Sequence, residues 1–129
     1  MRKHRNTSEG PSQRQLRAGE LVRRALSDIL LRGEHHEPAL EGHSITVSEA
    51  RLSPDLRQAT VYVMPLGGRG EEAAHEALTG ARGRLRKLIG SRLEMKQTPE
   101  LHFTLDTSFD RMDETRRLLN QDAVRRDLD

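Results

Sequence analysis

A long apolar stripe in the second half of the chain places the tightest limit on the fold. Its members recur at spacings of three and four residues, as on one face of an α-helix: Ala74, Leu78, Ala81, Leu85, Leu88 and Ile89. Gly80 and Gly83 interrupt the same segment, and each glycine costs a helix about 1 kcal/mol relative to alanine. The pattern therefore predicts two helices joined by a kink, at a single interruption in the region of Gly80 and Gly83.

A second helix is predicted near the start of the chain. Ser12 and Gln15 have the spacing of a capping box, and Gly33 is a natural stop, so a helix is expected over Ser12–Arg32. Its apolar face is expected to contain seven residues: Leu16, Leu21, Val22, Ala25, Leu26, Ile29 and Leu30.

Alternating apolar and polar residues predict three strands, over residues 43–52, 58–66 and 101–105. A Ser-Pro-Asp turn joins the first two as an antiparallel hairpin. The broken helix lies between the second and third strands, and such a crossover within one sheet makes the two strands parallel. The sequence thus predicts an α+β domain, a three-stranded mixed sheet with helices on one face and a helix–kink–helix before the last strand. A last helix is expected from about Ser108.

Composition excludes several classes of protein. The 129 residues set an expectation of one domain, and the chain lacks the run of about 18 apolar residues that a membrane-spanning helix needs. It has no cysteine, which excludes disulfides and thiolate metal sites. The polar first twelve residues predict no secretory signal and a cytoplasmic location. We expect a disordered basic tail over residues 1–11, an ordered domain over 12–119 and a frayed, charged end over 120–129.

The charge is nearly balanced overall but strongly segregated. The 22 Lys and Arg residues exceed the 20 Asp and Glu residues by two, yet residues 1–33 and residues 79–98 each carry a net charge of +5. Three of the 22 cations are lysines, and the planar guanidinium group of arginine suits phosphate. GC-rich coding is an alternative cause of the arginine excess.

The second basic segment coincides with the broken helix. On a helical wheel Gly80, Gly83, Lys87 and Gly90 fall opposite the apolar stripe. Outward glycines leave backbone N–H groups accessible, and a helix start after the break adds partial positive charge. The segment is therefore a candidate contact for an RNA backbone. The cations assigned to it are Arg82, Arg84, Arg86, Lys87, Arg92 and Lys96, extended by Arg23 and Arg24 of the first helix.

Enzymatic and metal-binding functions find little support. The adjacent side chains of His35 and His36 diverge and lack a third ligand of sensible spacing. The carboxylates near Asp106 are explained by the start of a solvated helix, and nucleotide-binding motifs are missing. We therefore predict no catalytic residue, metal, cofactor or small-molecule substrate. The remaining alternative is a protein-interaction adaptor whose basic helices contact acidic partners without specific RNA recognition.

Two stretches resemble the ribosome-binding factor A family, namely PDLRQATVYVMPLG and ALTGARGRLRKLIGSRLEMKQTPELHF. The resemblance covers about Ser12–Leu119. It implies a type II KH-like fold in which an A-x-G motif, here Ala81-Arg82-Gly83, marks the helix–kink–helix. It also implies binding of the immature small (30S) ribosomal subunit through 16S rRNA, promotion of its late processing, and release before translation. On this interpretation the protein is a monomer that contacts no membrane.

Overall fold

The structure, a computed structural model, describes residues 10–66 and 70–106, and its elements follow the predicted order. The helices are α1 (Gln13–Arg32), α2 (Glu71–Gly80) and α3 (Arg82–Leu93), and the strands are β1 (Ile45–Leu52), β2 (Gln58–Pro65) and β3 (Glu100–Leu105). A short 3-10 turn over Pro38–Leu40 lies between α1 and β1. The helix predicted from Ser108 falls outside the described residues, as do residues 1–9 of the predicted tail.

The start and end of α1 agree with the sequence prediction. The Ser12 hydroxyl accepts a hydrogen bond from the Gln15 N–H at 3.1 Å, and the Gln15 side chain accepts one from the Ser12 N–H at 2.9 Å. These two bonds form the capping box. Gly33 ends the helix with φ +68°, in the left-handed region that glycine tolerates.

The sheet has the order β1-β2-β3, with β1 antiparallel and β3 parallel to the central strand β2. The predicted α+β class and mixed sheet are therefore confirmed. β1 begins at Ile45 rather than at residue 43, and β2 ends at Pro65. A bulge between Val47 and Glu49 inserts an extra residue in β1. The bulge shifts the alternation of side chains, so that Ala50 rather than Glu49 follows Val47 on the core face.

The helices cover one face of the sheet and form the core with it. α1 packs on β1, while α2 and α3 pack on β3. Most of the fully buried side chains come from the three helices and the central strand: Val22, Leu26, Ile29, Ala74, Leu78, Leu85, Ile89, Ala59, Val61 and Val63. Among residues 10–66 and 70–106, no helix combines the length and the apolar character needed to cross a membrane.

Two leucines predicted for the core of α1 lie outside it. Leu16 is 53% exposed and Leu21 is 43% exposed. The buried arc of α1 instead includes Ala18 and Gly19. These two small residues allow the helix to approach β1 closely. The spacing pattern assigns to the core every leucine that has helical spacing. The arc of α1 that contacts the sheet is centred on Val22 and is narrower than the predicted apolar face.

Helices also cover backbone groups at both margins of the sheet. The Gln15 side-chain amide donates to the Leu52 carbonyl oxygen of β1 at 2.8 Å. One turn further along α1, Gly19 lies so close to β1 that a Cβ atom there would overlap the Ala50 carbonyl oxygen. At β3, His75 Nε2 donates to the Phe103 carbonyl oxygen at 2.7 Å. These contacts protect strand groups that would otherwise be open to pairing.

Candidate nucleic-acid interface

The predicted kink falls at Ala81, between α2 and α3. Ala81 has φ −94° and ψ 3°, and its N–H donates to the carbonyl oxygens of Ala77 and Leu78 at 3.0 and 3.1 Å. Ala81 is buried, so the break turns inward. Gly80 and Gly83 are exposed, with no atom within 4 Å of the position of a Cβ. Gly83 is the second residue of α3 rather than part of the break, and no side chain caps the start of α3.

A shallow depression, called here the α3 depression, lies beside the outer surface of α3. It is lined by Gly83, Arg86, Lys87, Gly90 and Thr98. Two glycines and two cations therefore share one concave surface. Missing side chains allow close approach to the backbone, while the cations supply the charge, and both properties suit a phosphate group.

Gly90 does not face outward, contrary to the wheel prediction. It is half-buried, and a Cβ atom there would lie 2.7 Å from the Thr98 hydroxyl oxygen. The wheel treats the segment as an isolated helix, whereas the connection from α3 to β3 folds back over α3 at this position. Thr98 is thereby brought into the α3 depression, and no motif in the sequence had singled it out.

Arg86 anchors that connection. Its Nε and Nη2 atoms donate to the Thr98 carbonyl oxygen at 3.2 and 2.9 Å. The guanidinium group is therefore held at the rim of the α3 depression by two of its donors. Arg86 combines a structural role with a position suited to phosphate.

Arg84 lies on the opposite flank of α3 and serves the loop that follows α1. Its Nε donates to the His35 carbonyl oxygen at 2.8 Å, and it lies 4.0 Å from the Glu37 carboxylate. His35 is buried, and its Nδ1 accepts the Glu37 N–H at 2.9 Å. These contacts fix the loop, so Arg84 acts as a structural residue although it is half exposed.

Three further predicted cations are paired with carboxylates. Arg92 contacts Asp28 at 3.5 Å and also pairs with Glu34. Arg23 and Arg24 share the carboxylate of Glu20, at 2.6 and 2.9 Å. Hydrogen bonds from Arg23, and then from Arg24, lower the pKa of Glu20 from 4.5 to about 2. Glu20 therefore stays charged and offsets part of the positive potential of α1.

Three of the eight predicted cations remain free to meet a ligand. Within residues 10–66 and 70–106, Arg82, Lys87 and Lys96 are exposed and have neither a carboxylate partner nor a side-chain hydrogen bond. Arg82 lies four residues before Arg86 and so shares its side of α3. The interface offered by α3 thus consists of the α3 depression with Arg82 at one end. Across the same described ranges, no three potential metal ligands lie together.

The helix–kink–helix and the three-stranded mixed sheet define a small α+β domain of the KH-like class. The sequence profile of ribosome-binding factor A matches residues 14–119. The chain belongs to the ribosome-binding factor A family.

Two relatives named ribosome-binding factor A show how close the similarity is. The chain is 59% identical to the Ruegeria pomeroyi protein over 120 residues, covering 93% of this chain and 92% of the relative. It is 58% identical to the Paracoccus denitrificans protein over 124 residues, covering 96% and 90%.

Solved structures show the same fold. The crystal structure of ribosome-binding factor A from Thermus thermophilus superposes with a TM-score of 0.59 at 32% identity, covering 70% of this chain and 94% of that chain. A homology model of the Thermus thermophilus factor, fitted into a cryo-EM map of a 30S complex with ribosome-binding factor A, gives a TM-score of 0.56 at 30% identity. That match covers 69% of this chain and 91% of the other.

Proposed function

We propose that the protein is a ribosome maturation factor that binds the free, immature 30S subunit through 16S rRNA and promotes its late processing. The observation that carries the proposal is the α3 depression with its free cations, in a chain that belongs to the ribosome-binding factor A family. The Thermus thermophilus relative fitted into a map of a 30S complex supports the same partner.

The RNA contact we propose is with the phosphate backbone. Arg82, Lys87 and Lys96 would meet phosphate directly, and Arg86 would contribute from the rim of the α3 depression. Arg84, Arg92, Arg23 and Arg24 would contribute less, because each already contacts a carbonyl or a carboxylate. Tyr62 and Phe103 lie on strands, so the surface of α3 offers no aromatic ring for base stacking. Recognition would follow RNA shape rather than base identity.

An α3 variant, Arg82→Gln with Lys87→Gln, tests the proposal. We expect it to lose affinity for purified 30S subunits in co-sedimentation. The slope of log affinity against log salt should also fall by about 1.5, because two phosphate contacts are removed. Both residues are exposed, so thermal unfolding should stay near that of the wild type.

A control variant, Arg51→Gln with Arg57→Gln, removes the same charge from elsewhere. Both residues are exposed and lie at or near the hairpin of β1 and β2. The control should bind 30S subunits like the wild type. Equal losses in both variants would indicate nonspecific attraction and contradict the assignment to α3.

The adaptor alternative predicts a different outcome with deproteinised 16S rRNA. If the wild type binds 30S subunits but not the naked rRNA, the contact is with protein and the RNA proposal fails. We further propose that the protein acts as a non-enzymatic monomer in the cytoplasm, with an RNA-binding domain over residues 12–119. Sedimentation equilibrium of the purified protein tests the monomer.

A further inference from the structure

The ion pairs of α3 show how it lies against α1. Arg84 contacts residues 35 and 37, which follow α1, whereas Arg92 contacts Glu34 just after α1 and also reaches Asp28 inside it. As residue numbers rise along α3, the contacts move back along α1, so the two helices are antiparallel. The first half of α1 therefore extends beyond the end of α3, and the start of α3 lies beyond the end of α1.

Three carboxylates lie between these two ends of the helical layer. They are Asp28, Glu34 and Glu37, whose side chains are 47%, 36% and 33% exposed. Arg92 pairs with the first two, Arg32 lies 3.8 Å from Asp28, and Arg84 approaches Glu37. Because three arginines balance three carboxylates, this part of the layer has no excess positive charge to attract phosphate. The layer from α3 to α1 therefore offers an RNA backbone no continuous run of unpaired cations.

The far end of α1 carries an arginine row, formed by Arg14, Arg17 and Arg24. All three residues are exposed; Arg17 and Arg24 lie on the side of α1 opposite Val22 and Leu26, and Arg14 lies on the adjoining flank. Within the described ranges, Arg14 and Arg17 have no carboxylate partner and no side-chain hydrogen bond. Arg24 is 72% exposed and shares Glu20 with Arg23, which leaves the row with net positive charge.

The position of the row opposes the stability of α1. Arg14 lies in the first turn, which contains no acidic residue. A cation at a helix start meets the positive end of the helix dipole, at a cost of some tenths of a kcal/mol. Such placement does not help the fold, but it does suit an external anion, which would also meet the positive end of the helix dipole.

We propose that the arginine row is a second contact for RNA phosphate, separate from the α3 depression, and that the protein thereby prefers folded RNA that presents two phosphate runs. The inference rests on the proposed function. Asp28 and Arg92 contact each other and so mark the same level of α1 and α3. Arg17 lies eleven residues, roughly 16 Å, from this level along α1, and Lys87 lies about 7 Å from it along α3 in the opposite direction. The two contacts are thus separated by more than the Debye length of about 10 Å at 0.1 M salt.

RNA suits the row better than a protein partner does. Leu16, Leu21 and Leu31 of α1 are 53%, 43% and 85% exposed, but they differ in position around or along the helix, and exposed leucines that stand singly are common on protein surfaces. The described part of α1 offers no contiguous apolar patch around the row, whereas three forked guanidinium groups match phosphate oxygens. A protein contact remains a distinct outcome of the experiment.

An α1 variant, Arg14→Gln with Arg17→Gln, tests the inference on deproteinised 16S rRNA and on purified 30S subunits. We expect about a tenfold loss of affinity for both, and a fall of about 1.5 in the salt slope. Lys replacements at the same positions should recover part of the affinity, because they keep the charge but not the fork, and the Arg51→Gln, Arg57→Gln control should show no loss.

The outcomes separate this inference from the proposed function. An α1 variant that binds both probes like the wild type overturns the inference, while a loss in the α3 variant still upholds the proposed function. A loss on 30S subunits but not on naked rRNA assigns the row to a ribosomal protein and overturns it too. If neither variant loses affinity, the proposed function itself fails.

A photo-crosslinking experiment tests the two separate runs. A benzoylphenylalanine replaces Leu21 beside the row in one protein and Ser91 on the exposed side of α3 in another. We expect crosslinks from the two positions to fall in separate segments of 16S rRNA. Crosslinks within one unbroken run of nucleotides would overturn the two-run arrangement.

Discussion

Arg86 of α3 holds the carbonyl oxygen of Thr98 with two donors, at 3.2 and 2.9 Å. Thr98 precedes Pro99, which is fully buried, and β3 begins at Glu100. One side chain therefore links the outer surface of α3 to the entry of the strand that pairs with β2. The lining of the α3 depression and the placement of β3 beside β2 therefore depend on the same contact.

Replacing Arg86 should consequently destabilise the fold. Arg86→Gln leaves the Thr98 carbonyl without its two donors, and we expect the free energy of unfolding in urea to fall by about 1–2 kcal/mol. Arg86→Lys should recover part of this, since an ammonium group cannot reproduce the fork. A stability equal to the wild type in Arg86→Gln would show that the contact does not support the fold.

Gly19→Ala should destabilise the protein although alanine is the better helix former. Helix propensity alone would add about 1 kcal/mol. The new Cβ atom would, however, overlap the Ala50 carbonyl oxygen, and relieving an overlap with backbone costs typically about 1–3 kcal/mol. We expect a net loss in urea denaturation, and a gain would contradict the close packing of α1 on β1.

Gly83→Ala should have opposite effects on stability and on RNA binding. Its Cβ atom meets open space inside α3, so the free energy of unfolding should rise by about 0.5–1 kcal/mol. The methyl group would enter the α3 depression and weaken binding to 16S rRNA. Gly80→Ala is the matched control, because Gly80 is equally open but does not line the depression. Unchanged RNA affinity in Gly83→Ala would argue against close approach of phosphate there.

Glu20 should titrate far below an ordinary glutamate. Arg23 and then Arg24 lower its pKa from 4.5 to about 2. A group whose pKa is lowered by folding stabilises the protein above its unfolded pKa, and this contribution disappears as the pH falls from about 4.5 to about 2. NMR titration of the Glu20 carboxyl should give the low value, and Arg23→Gln should move it towards 4.5. A wild-type midpoint near 4.5 would contradict the ion pairs.

Local patterns were sufficient to predict most of the elements. Ser12, Gln15 and Gly33 determine the ends of α1 by contacts within a few residues, and alternation in β2 identifies its buried face. Leu16 and Leu21 were misplaced because burial depends on which arc of the helix meets the sheet. That arc is decided by the close approach of Gly19 to β1, a contact between residues far apart in sequence.

The site was harder to predict because charge counts do not show pairing. The sequence places Arg92 and Lys87 in the same basic segment, yet Arg92 pairs with Asp28, 64 residues away, while Lys87 stays free. Thr98 and Gly90 join the α3 depression through the fold of a loop. Only the three-dimensional contacts distinguish cations that support the fold from those available to a ligand.

The two turns of α1 that lie over β1 also carry Arg14 and Arg17 on their other side. If a substitution at Gln15 or Gly19 moved this end of α1 away from β1, the carbonyl groups of Leu52 and Ala50 would become exposed to solvent. The chain would then be prone to self-association through its uncovered strand, and its leading arginines would lose their fixed orientation. Solubility and RNA affinity should therefore decline together in such variants, because both depend on the packing of the first two turns of α1 against β1.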